Sequence, residues 1–263
     1  MGRKLMEYHI ISGAVIEIRR SYLPVRNGAT KKRGCRRAGA SSAKKISANE
    51  NQEILRLARI LNSNFGEGGY LVTLKYDNSL VPQSYDELCE KGSKLMRKLS
   101  TLCKKENLSL KRVLINANWS PKRQAPARLH HHLVINELSL DLLKKLWPEQ
   151  QLHIRTLEKG DLTELASYLL ANVHEIGAGK KKWACSKNMD KPVFTEPEEV
   201  SELDGIQAPA GAANITQIPT YDEDGRQIGS YMRCTLSAPP VIKGSRVIIP
   251  KPPKRGGRKR KEI

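Results

Sequence analysis

Short β-branched runs alternate with longer segments of helical periodicity over residues 70–175 of this chain. The runs YLVTLKY, KRVLINANW, HHHLVIN and HIRTL have the length and residue types of β-strands. Between them, apolar residues recur at helical spacing, as at Leu88, Leu95, Leu99 and Leu102. This order, with connections short enough for hairpins, predicts an α+β fold in which a central antiparallel β-sheet has helices packed on one face.

Changes in composition divide the chain into four segments, which are residues 1–46, 47–195, 196–240 and 241–263. The first holds two short strands and a basic, glycine-rich loop, and the last is a basic tail; we expect the loop to be flexible and the tail to be disordered. The second carries the alternating pattern, and Ser47 with Glu50 forms a predicted capping box at its first helix. The third is rich in Pro, Ala and acidic residues and ends in a predicted hairpin around Asp224 and Gly225.

A formal charge of +19 at pH 7 points to a polyanionic partner, either nucleic acid or an anionic membrane surface. No apolar run approaches the roughly 18 residues of a membrane span. The first twenty residues also lack the apolar core and cleavage site of a secretory signal. The 5 cysteines show no C-x-x-C spacing, so they indicate neither a disulfide framework nor a zinc ribbon. We therefore expect a cytoplasmic nucleic-acid-binding protein with no membrane partner.

Three consecutive histidines lead the apolar run RLHHHLVIN. Because alternate side chains of a strand share a face, His130 and His132 project together, while His131 projects to the other side with Leu133. Two imidazoles on one face of a strand can bind one divalent cation. The same pattern also fits polar residues at the edge of a strand, and His131 fits that structural interpretation better than a functional one.

Four segments, in this order, favour a metal site over a polar strand edge: YLVTLKYD, RLHHHLVIN, ELASYLLANV and KKWACSKNMDKP. They resemble motifs of the single-tyrosine rolling-circle replication initiators of bacterial plasmids and phages, within the HUH endonuclease superfamily. The first is similar to a TLTY-type strand, the second to the metal motif, and the third to the helix of the nucleophile. The resemblance covers roughly residues 50–195 and implies a ferredoxin-like or RRM-like sheet.

The resemblance implies a chemistry for these residues. His130 and His132 would bind Mg²⁺ or Mn²⁺, which would polarise a phosphate of single-stranded DNA at a replication origin. Tyr168 would attack the phosphorus, giving a 5′-phosphotyrosine and a free 3′-hydroxyl that primes replication. Host helicase and polymerase would be the other partners, in the cytoplasm of a bacterial host, and the oligomeric state is left open.

Further site residues follow from the same comparison. Asn118 is the expected third metal ligand. Helical phase places Tyr168 at the margin of the buried stripe of its helix. Asn172 and Glu175 share its side of the helix, where they would orient a phosphate or contribute to the metal site, and Glu175 is a further predicted metal ligand. Relatives often carry Lys three residues after the nucleophile, where this chain has Ala171. Lys75 is the predicted surrogate, the alternative being a solvated lysine at a strand edge. The expected DNA contacts are Arg128, Lys180, Lys181, Lys182, Trp183 and Lys187. Trp183 would stack on a base, the alternative being a tryptophan of the core.

Two other functions fit parts of the sequence. A relaxase or transposase would use the same chemistry. Relaxases usually place the tyrosine near the N-terminus, ahead of the histidines, which argues against a relaxase, although Tyr8 and Tyr22 keep that option open. A non-catalytic RRM-like module would bind nucleic acid without a metal. Such modules stack bases on a strand of G-F-x-F type, which a chain with 2 Phe does not contain. Dependence on a divalent metal separates the nuclease from the binding module.

Overall fold

A computed structural model describes residues 3–24, 43–137, 140–148, 151–177, 180–222, 224–243 and 246–248. The chain divides into two compact units, one of residues 36–192 and one of residues 1–35 with 193–263. The described residues form four α-helices and antiparallel sheets, so the predicted α+β class is confirmed. Within these ranges, no helix is both long and apolar enough to cross a membrane.

The unit of residues 36–192 is built on a five-stranded sheet. Its strands are β3 (Tyr70–Leu74), β4 (Arg112–Ser120), β5 (Ala125–Ile135), β6 (Leu152–Thr156) and β7 (Trp183–Cys185). The order is β6-β3-β5-β4-β7, and every pair is antiparallel. The four predicted strands are present, with the histidine strand β5 at the centre, whereas β7 was not predicted.

Helices cover both faces of this sheet. They are α1 (Ala43–Phe65), α2 (Tyr85–Lys105), α3 (Leu140–Leu146) and α4 (Thr163–Ala171). Helices α1 and α4 form one core with Leu71, Val113 and Val134, while α2 and α3 form another with the opposite-facing Val72 and Leu114. The prediction of helices on one face is therefore wrong. The strands are apolar on both sides, and both sides must be removed from water.

The starts of the first two helices differ in how well the sequence marks them. Ser84 caps α2 by accepting a hydrogen bond from the Glu87 amide at 3.1 Å, and the Glu87 carboxylate accepts one from the Gln83 amide at 2.7 Å. Helix α1 begins at Ala43, so the predicted capping box of Ser47 and Glu50 is wrong and both residues lie within the helix. The preceding sequence AKKI contains good helix formers, which lets the helix extend backward.

The other unit is a six-stranded antiparallel sheet. Its strands are β1 (Arg3–Ser12), β2 (Val15–Pro24), β8 (Val193–Phe194), β9 (Glu198–Glu199), β10 (Ala213–Tyr221) and β11 (Gln227–Thr235). The predicted hairpins are present as β1–β2, which turns at Gly13 with φ 58°, and β10–β11. Strand β11 pairs with β2, so the first and third predicted segments contribute to one sheet instead of forming separate appendages.

Part of the predicted disordered tail is ordered. Strands β12 (Val241–Lys243) and β13 (Arg246–Ile248) pair with each other, so the prediction of disorder from residue 241 onward is wrong for this stretch. Its β-branched residues favour strand structure. The predicted basic loop at residues 25–42 and the tail beyond residue 248 lie outside the described residues.

Candidate active site

His130 and His132 converge on the face of the sheet that is covered by α1 and α4. In the register of the sheet, His132 lies between Thr73 of β3 and Ile115 of β4, and it is only 2% exposed. The Nε2 atoms of the two histidines are 3.2 Å apart, and the ring centroids are 4.7 Å apart. The two predicted metal ligands are thus neighbours in space.

The Nδ1 atom of each ring, which faces away from the other histidine, has a hydrogen-bond partner. The Nδ1–H of His130 donates to the carbonyl of Arg128 at 2.8 Å, which leaves a lone pair on its Nε2 atom. Nδ1 of His132 lies 3.1 Å from the hydroxyl oxygen of Thr73. Burial lowers the pKa of His130, and burial followed by the charge of His130 lowers the pKa of His132 to about 3. Both imidazoles are therefore neutral at pH 7, the form in which histidine ligates metals.

The spacing of the two nitrogens fits shared coordination of one cation. Two nitrogens about 2.1 Å from a metal ion are about 3.0 Å apart at an octahedral angle and about 3.4 Å apart at a tetrahedral one. The observed 3.2 Å lies between these values. No cluster of three or more His, Cys, Asp or Glu side chains occurs within the described ranges. Remaining positions would therefore be filled by amide, water or phosphate oxygens.

Two predicted ligands are corrected by the structure. The amide oxygen of Asn118 accepts a hydrogen bond from the His174 N–H at 2.9 Å, and its amide nitrogen donates to the His174 carbonyl at 2.7 Å. The Asn118 side chain is therefore hydrogen-bonded to the backbone of His174 instead of facing the histidine pair. Glu175 is exposed at φ 46°, and its carboxylate lies 3.8 Å from Nδ1 of His174. Helix α4 ends at Ala171, so helical phase no longer directs Glu175 toward the site.

Asn172 is the amide that reaches the histidines. It is 5% exposed, it donates to the Tyr168 carbonyl at 2.6 Å, and its side chain hydrogen-bonds to His132. Its own carbonyl accepts from the backbone amides of Asn118 at 3.0 Å and Trp119 at 3.1 Å. Asn172 therefore joins the end of α4 both to the histidine pair and to strand β4.

Tyr168 lies on α4 beside the histidine pair. Its ring centroid is 5.6 Å from that of His132, with an interplanar angle of 61°. The side chain is 47% exposed, whereas Ala166, Leu169 and Leu170 of the same helix are buried. The predicted position at the margin of the buried stripe agrees with this exposure. The hydroxyl is accessible to a large substrate.

Two predicted basic residues flank the site. Lys75 directly follows β3 and is exposed, and after burial its positive charge is one of the causes that lower the pKa of His130. It is thus close to the histidines, and its role toward phosphate stays a prediction. Arg128 donates through its guanidinium to the side-chain oxygen of Asn78 at 2.7 Å and to the carbonyl of Tyr76. Arg128 therefore stabilises the loop after β3 through these hydrogen bonds, although its side chain is exposed.

The other predicted DNA contacts do not surround Tyr168. Lys180 forms an ion pair with Asp86 of α2, and its Nζ atom is 5.9 Å from the ring centroid of Tyr85. Trp183 is half-buried, packs against the core of α1 and α4, and donates its indole N–H to Glu53 at 2.8 Å. Of the two alternatives for Trp183, the structure therefore shows the core position and not an exposed base-stacking ring, because a strand that was not predicted places the ring against the core. The remaining basic side chains, exposed or half-exposed, are Lys181, Lys182 and Lys187.

His131 anchors the opposite face of β5. Its Nδ1–H donates to the amide oxygen of Asn116 at 2.7 Å, and its Nε2 accepts from the hydroxyl of Tyr76 at 2.7 Å. Asn116 continues the chain by donating to Sγ of Cys89 at 3.1 Å. His131 is fully buried on the face that it shares with Leu133, so it has the structural role that the sequence favoured, within the sheet and not at a strand edge. This chain of hydrogen bonds fixes the strand from which His130 and His132 project.

We expect the stability of the unit of residues 36–192 to fall with pH below neutrality when no metal is present. Burial lowers the pKa values of His131 and His132 to about 3, whereas both titrate near 6.5 in the unfolded chain. A depressed folded pKa gives stability that is complete above the unfolded pKa and is lost as pH falls toward the folded value. The free energy of unfolding should decrease by about 1.4 kcal/mol per pH unit for each histidine.

Urea unfolding in EDTA at pH 7, 6 and 5 measures this slope. The matched variant His131→Gln should show a shallower dependence because one of the buried titrating histidines is gone. A free energy of unfolding that stays constant from pH 7 to pH 5 would contradict the assignment of neutral buried histidines.

Gly92 on α2 lies directly against the His131 layer. A Cβ atom at this position would be 2.9 Å from Cε1 of His131 and 3.1 Å from Cδ2 of Leu114. Gly→Ala ordinarily stabilises a helix interior by about 1 kcal/mol. For Gly92→Ala we expect destabilisation by about 1–3 kcal/mol in urea unfolding, because overpacking outweighs propensity. The exposed neighbour Ser93→Ala is the control, and a Gly92→Ala protein more stable than wild type would refute the close contact.

Sequence reasoning missed further polar residues on the face of the sheet that carries His130 and His132. Thr73 pairs with His132 on one side and with His153 of β6 on the other, and Leu71 likewise pairs with Arg155. Directly paired residues share a face, so both β6 side chains point toward the layer of α4. The alternation in HIRTL puts His153 and Arg155 on one side, but the register against β3 was not predictable.

These two residues line an open cleft of about 590 Å³ between β6 and α4. Tyr168 and Thr73 also line the cleft, so it connects with the candidate active site. Its acidic members are Glu158, Asp161 and Glu164. Lys159, in the segment before α4, also lines the cleft and forms an ion pair with Glu67 at 3.8 Å. The cleft thus carries His153 and Arg155 on the sheet side and mainly acidic residues at and before the start of α4.

No family model, curated protein or solved structure matches this chain.

Proposed function

We propose that this chain is a rolling-circle replication initiator that nicks single-stranded DNA with Tyr168 as the nucleophile. The observation that carries the proposal is the meeting of three side chains on one face of the sheet. The Nε2 atoms of His130 and His132 are 3.2 Å apart, and the exposed ring of Tyr168 lies 5.6 Å from that of His132. A metal-ligand pair beside an accessible phenol is the minimum that tyrosine-dependent phosphoryl transfer requires.

The reaction is a transesterification at phosphorus. A divalent cation, Mg²⁺ or Mn²⁺, would supply Lewis-acid stabilisation of the charge that develops on the phosphoryl oxygens. The phenolic oxygen of Tyr168 loses its proton and forms a bond to phosphorus. The bond from phosphorus to the 3′ oxygen breaks, and that oxygen takes up a proton. The products are a 5′-phosphotyrosine and a free 3′-hydroxyl, and the reverse reaction rejoins strands.

The side chains around the nucleophile have separate tasks in this proposal. Hydrogen bonds at Nδ1 hold His130 and His132 with Nε2 available for the cation. Asn172 hydrogen-bonds to His132 and to the backbone of Tyr168, so it sets the distance between nucleophile and metal ligands. Lys75, exposed beside His130, would offset phosphate charge in place of the lysine that is absent at Ala171.

The formal charge of +19 supports a polyanionic substrate. We infer that the substrate is single-stranded DNA at the origin of the replicon that encodes the protein. The free 3′-hydroxyl would then prime a host polymerase, with a host helicase separating the strands, in the cytoplasm of a bacterial cell.

The test incubates the protein with single-stranded DNA from its own replicon and Mn²⁺ or Mg²⁺, with and without EDTA, and resolves adducts on a denaturing gel. We expect a covalent protein–DNA band only in the samples that contain Mn²⁺ or Mg²⁺ without EDTA. Binding without any adduct, across both metals and several strands, would instead favour a non-catalytic RRM-like binding module.

A further inference from the structure

We infer that the cleft between β6 and α4 is a subsite for the nucleotide that adjoins the scissile phosphate, with Arg155 as its phosphate-binding residue and His153 beside it. This inference rests on the proposed function and extends it to the path of the DNA strand. It assigns a role to β6, an element for which the sequence motifs predict none.

The register of the sheet places the subsite next to the candidate active site. His132, Thr73 and His153 lie side by side on β5, β3 and β6, and they face the same layer. Neighbouring strands are about 4.8 Å apart, so His153 lies about 10 Å from His132. Arg155 is two residues further along the same face. A DNA strand whose phosphate lies at Tyr168 therefore has the Arg155 guanidinium and the His153 ring within reach of its next nucleotide.

Two side chains on the sheet side of the cleft are available for a ligand. Arg155 and His153 are exposed, and neither side chain has a hydrogen bond or ion pair with any residue that the structure describes. By contrast, the guanidinium groups of Arg20 and Arg128 are engaged by carboxylate or carbonyl oxygens. A free guanidinium presents a planar fork of donors that matches a phosphate in a bidentate geometry.

The opposite wall offers carboxylate acceptors. Asp161 is committed to the start of α4, where its carboxylate accepts from the amide and the hydroxyl of Thr163 at 3.0 Å and 2.6 Å. Glu164, one residue further along α4, is exposed and lines the same cleft. A carboxylate there repels phosphate and accepts hydrogen bonds from the exocyclic amino group of a base. The arrangement favours a nucleotide lying with its phosphate toward β6 and its base toward α4.

Size and access agree with this occupant. The cleft has a volume of about 590 Å³, within the range of about 300–1,000 Å³ that is usual for small-ligand sites. Strand β6 is the edge strand of its sheet, so the described residues place no further strand outside it. DNA can therefore leave along this edge.

The experiment measures DNA binding in a Tyr168→Phe background, in EDTA, so that neither covalent capture nor metal contributes. The probe is a fluorescein-labelled 20-nucleotide single strand from the replicon, followed by anisotropy over a series of salt concentrations. We expect Arg155→Gln to weaken binding about tenfold and to reduce the slope of log K against log salt by about 0.7, the loss of one phosphate contact. His153→Gln should weaken binding less, and Arg155→Lys should be intermediate.

Arg97→Gln is the matched control. Arg97 is exposed on α2, on the opposite side of the sheet, and its loss changes the net charge equally. If Arg155→Gln and Arg97→Gln give the same affinity and salt slope, the inference is overturned even if the wild type forms adducts. If no adduct forms but the Arg155 effect persists, the nuclease proposal fails and the cleft stands as a strand-binding site. Circular dichroism verifies folding, and Arg155→Lys replaces Arg155→Gln should the latter unfold.

Discussion

Tyr168→Phe removes the covalent protein–DNA adduct while binding of single-stranded DNA stays within about twofold of wild type. The substitution deletes one oxygen from a side chain that is 47% exposed, and the ring contact with His132 at 5.6 Å does not depend on that oxygen. The fold is therefore kept. Without the phenolic oxygen no phosphotyrosine can form, so we expect adduct formation to fall at least about 10³-fold.

Tyr221→Phe, at an exposed tyrosine of the other unit, is the matched control and should form adducts at the wild-type rate. The assay also separates the initiator from a relaxase. An adduct that survives Tyr168→Phe but disappears in Tyr8→Phe or Tyr22→Phe would transfer the nucleophile to the first strands and overturn our assignment.

The double variant His130→Gln/His132→Gln should lose metal-dependent adduct formation by about 10³-fold while keeping DNA affinity in EDTA. Glutamine keeps most of the side-chain volume at the buried position of His132, which limits the cavity that alanine would leave. With both imidazoles absent, no pair of nitrogens 3.2 Å apart remains to share a cation. The single variants should each keep part of the activity.

Calorimetric titration with Mn²⁺, in the absence of DNA, gives a second measurement that does not depend on catalysis. Wild type should bind the ion, and the double variant should not. His9→Gln, in the other unit, is the control and should bind as wild type does. Undiminished Mn²⁺ binding and adduct formation in the double variant would place the metal elsewhere and leave the histidines a structural role.

Local sequence patterns predict the elements of this fold better than their pairing. Strands β3 to β6 and both long hairpins follow from alternation and turn residues. The pairing of β2 with β11 joins residues about 200 positions apart, for example Ile18 with Met232, and no local pattern carries that information. The second helical layer was missed because a two-sided apolar strand and a one-sided strand differ only in residues such as Leu114 and Val72.

At the candidate active site, too, local periodicity predicts some side-chain positions and fails for others. The period of two in a strand brings His130 and His132 together, and helical phase puts Tyr168 at the margin of α4. Phase fails for Glu175 because the helix ends at Ala171. It fails for Asn118 because β4 has a register irregularity between Ala117 and Trp119, which redirects the side chain toward the backbone of His174.

The hydrogen bonds that tie the end of α4 to strand β4 would matter most if Tyr168 carries a DNA strand. A helix of nine residues is too short to resist tension by its own hydrogen bonds. The carbonyl of Asn172 is held by two amides of β4, the side chain of Asn118 binds both backbone groups of His174, and the His174 ring stacks on Trp119 at 4.5 Å. If Tyr168 is the nucleophile, as we propose, a pull on the tethered DNA strand would be passed into the central sheet. The protein would then stay attached to a moving DNA end as a mechanical anchor, with Tyr168 still aligned for the rejoining step.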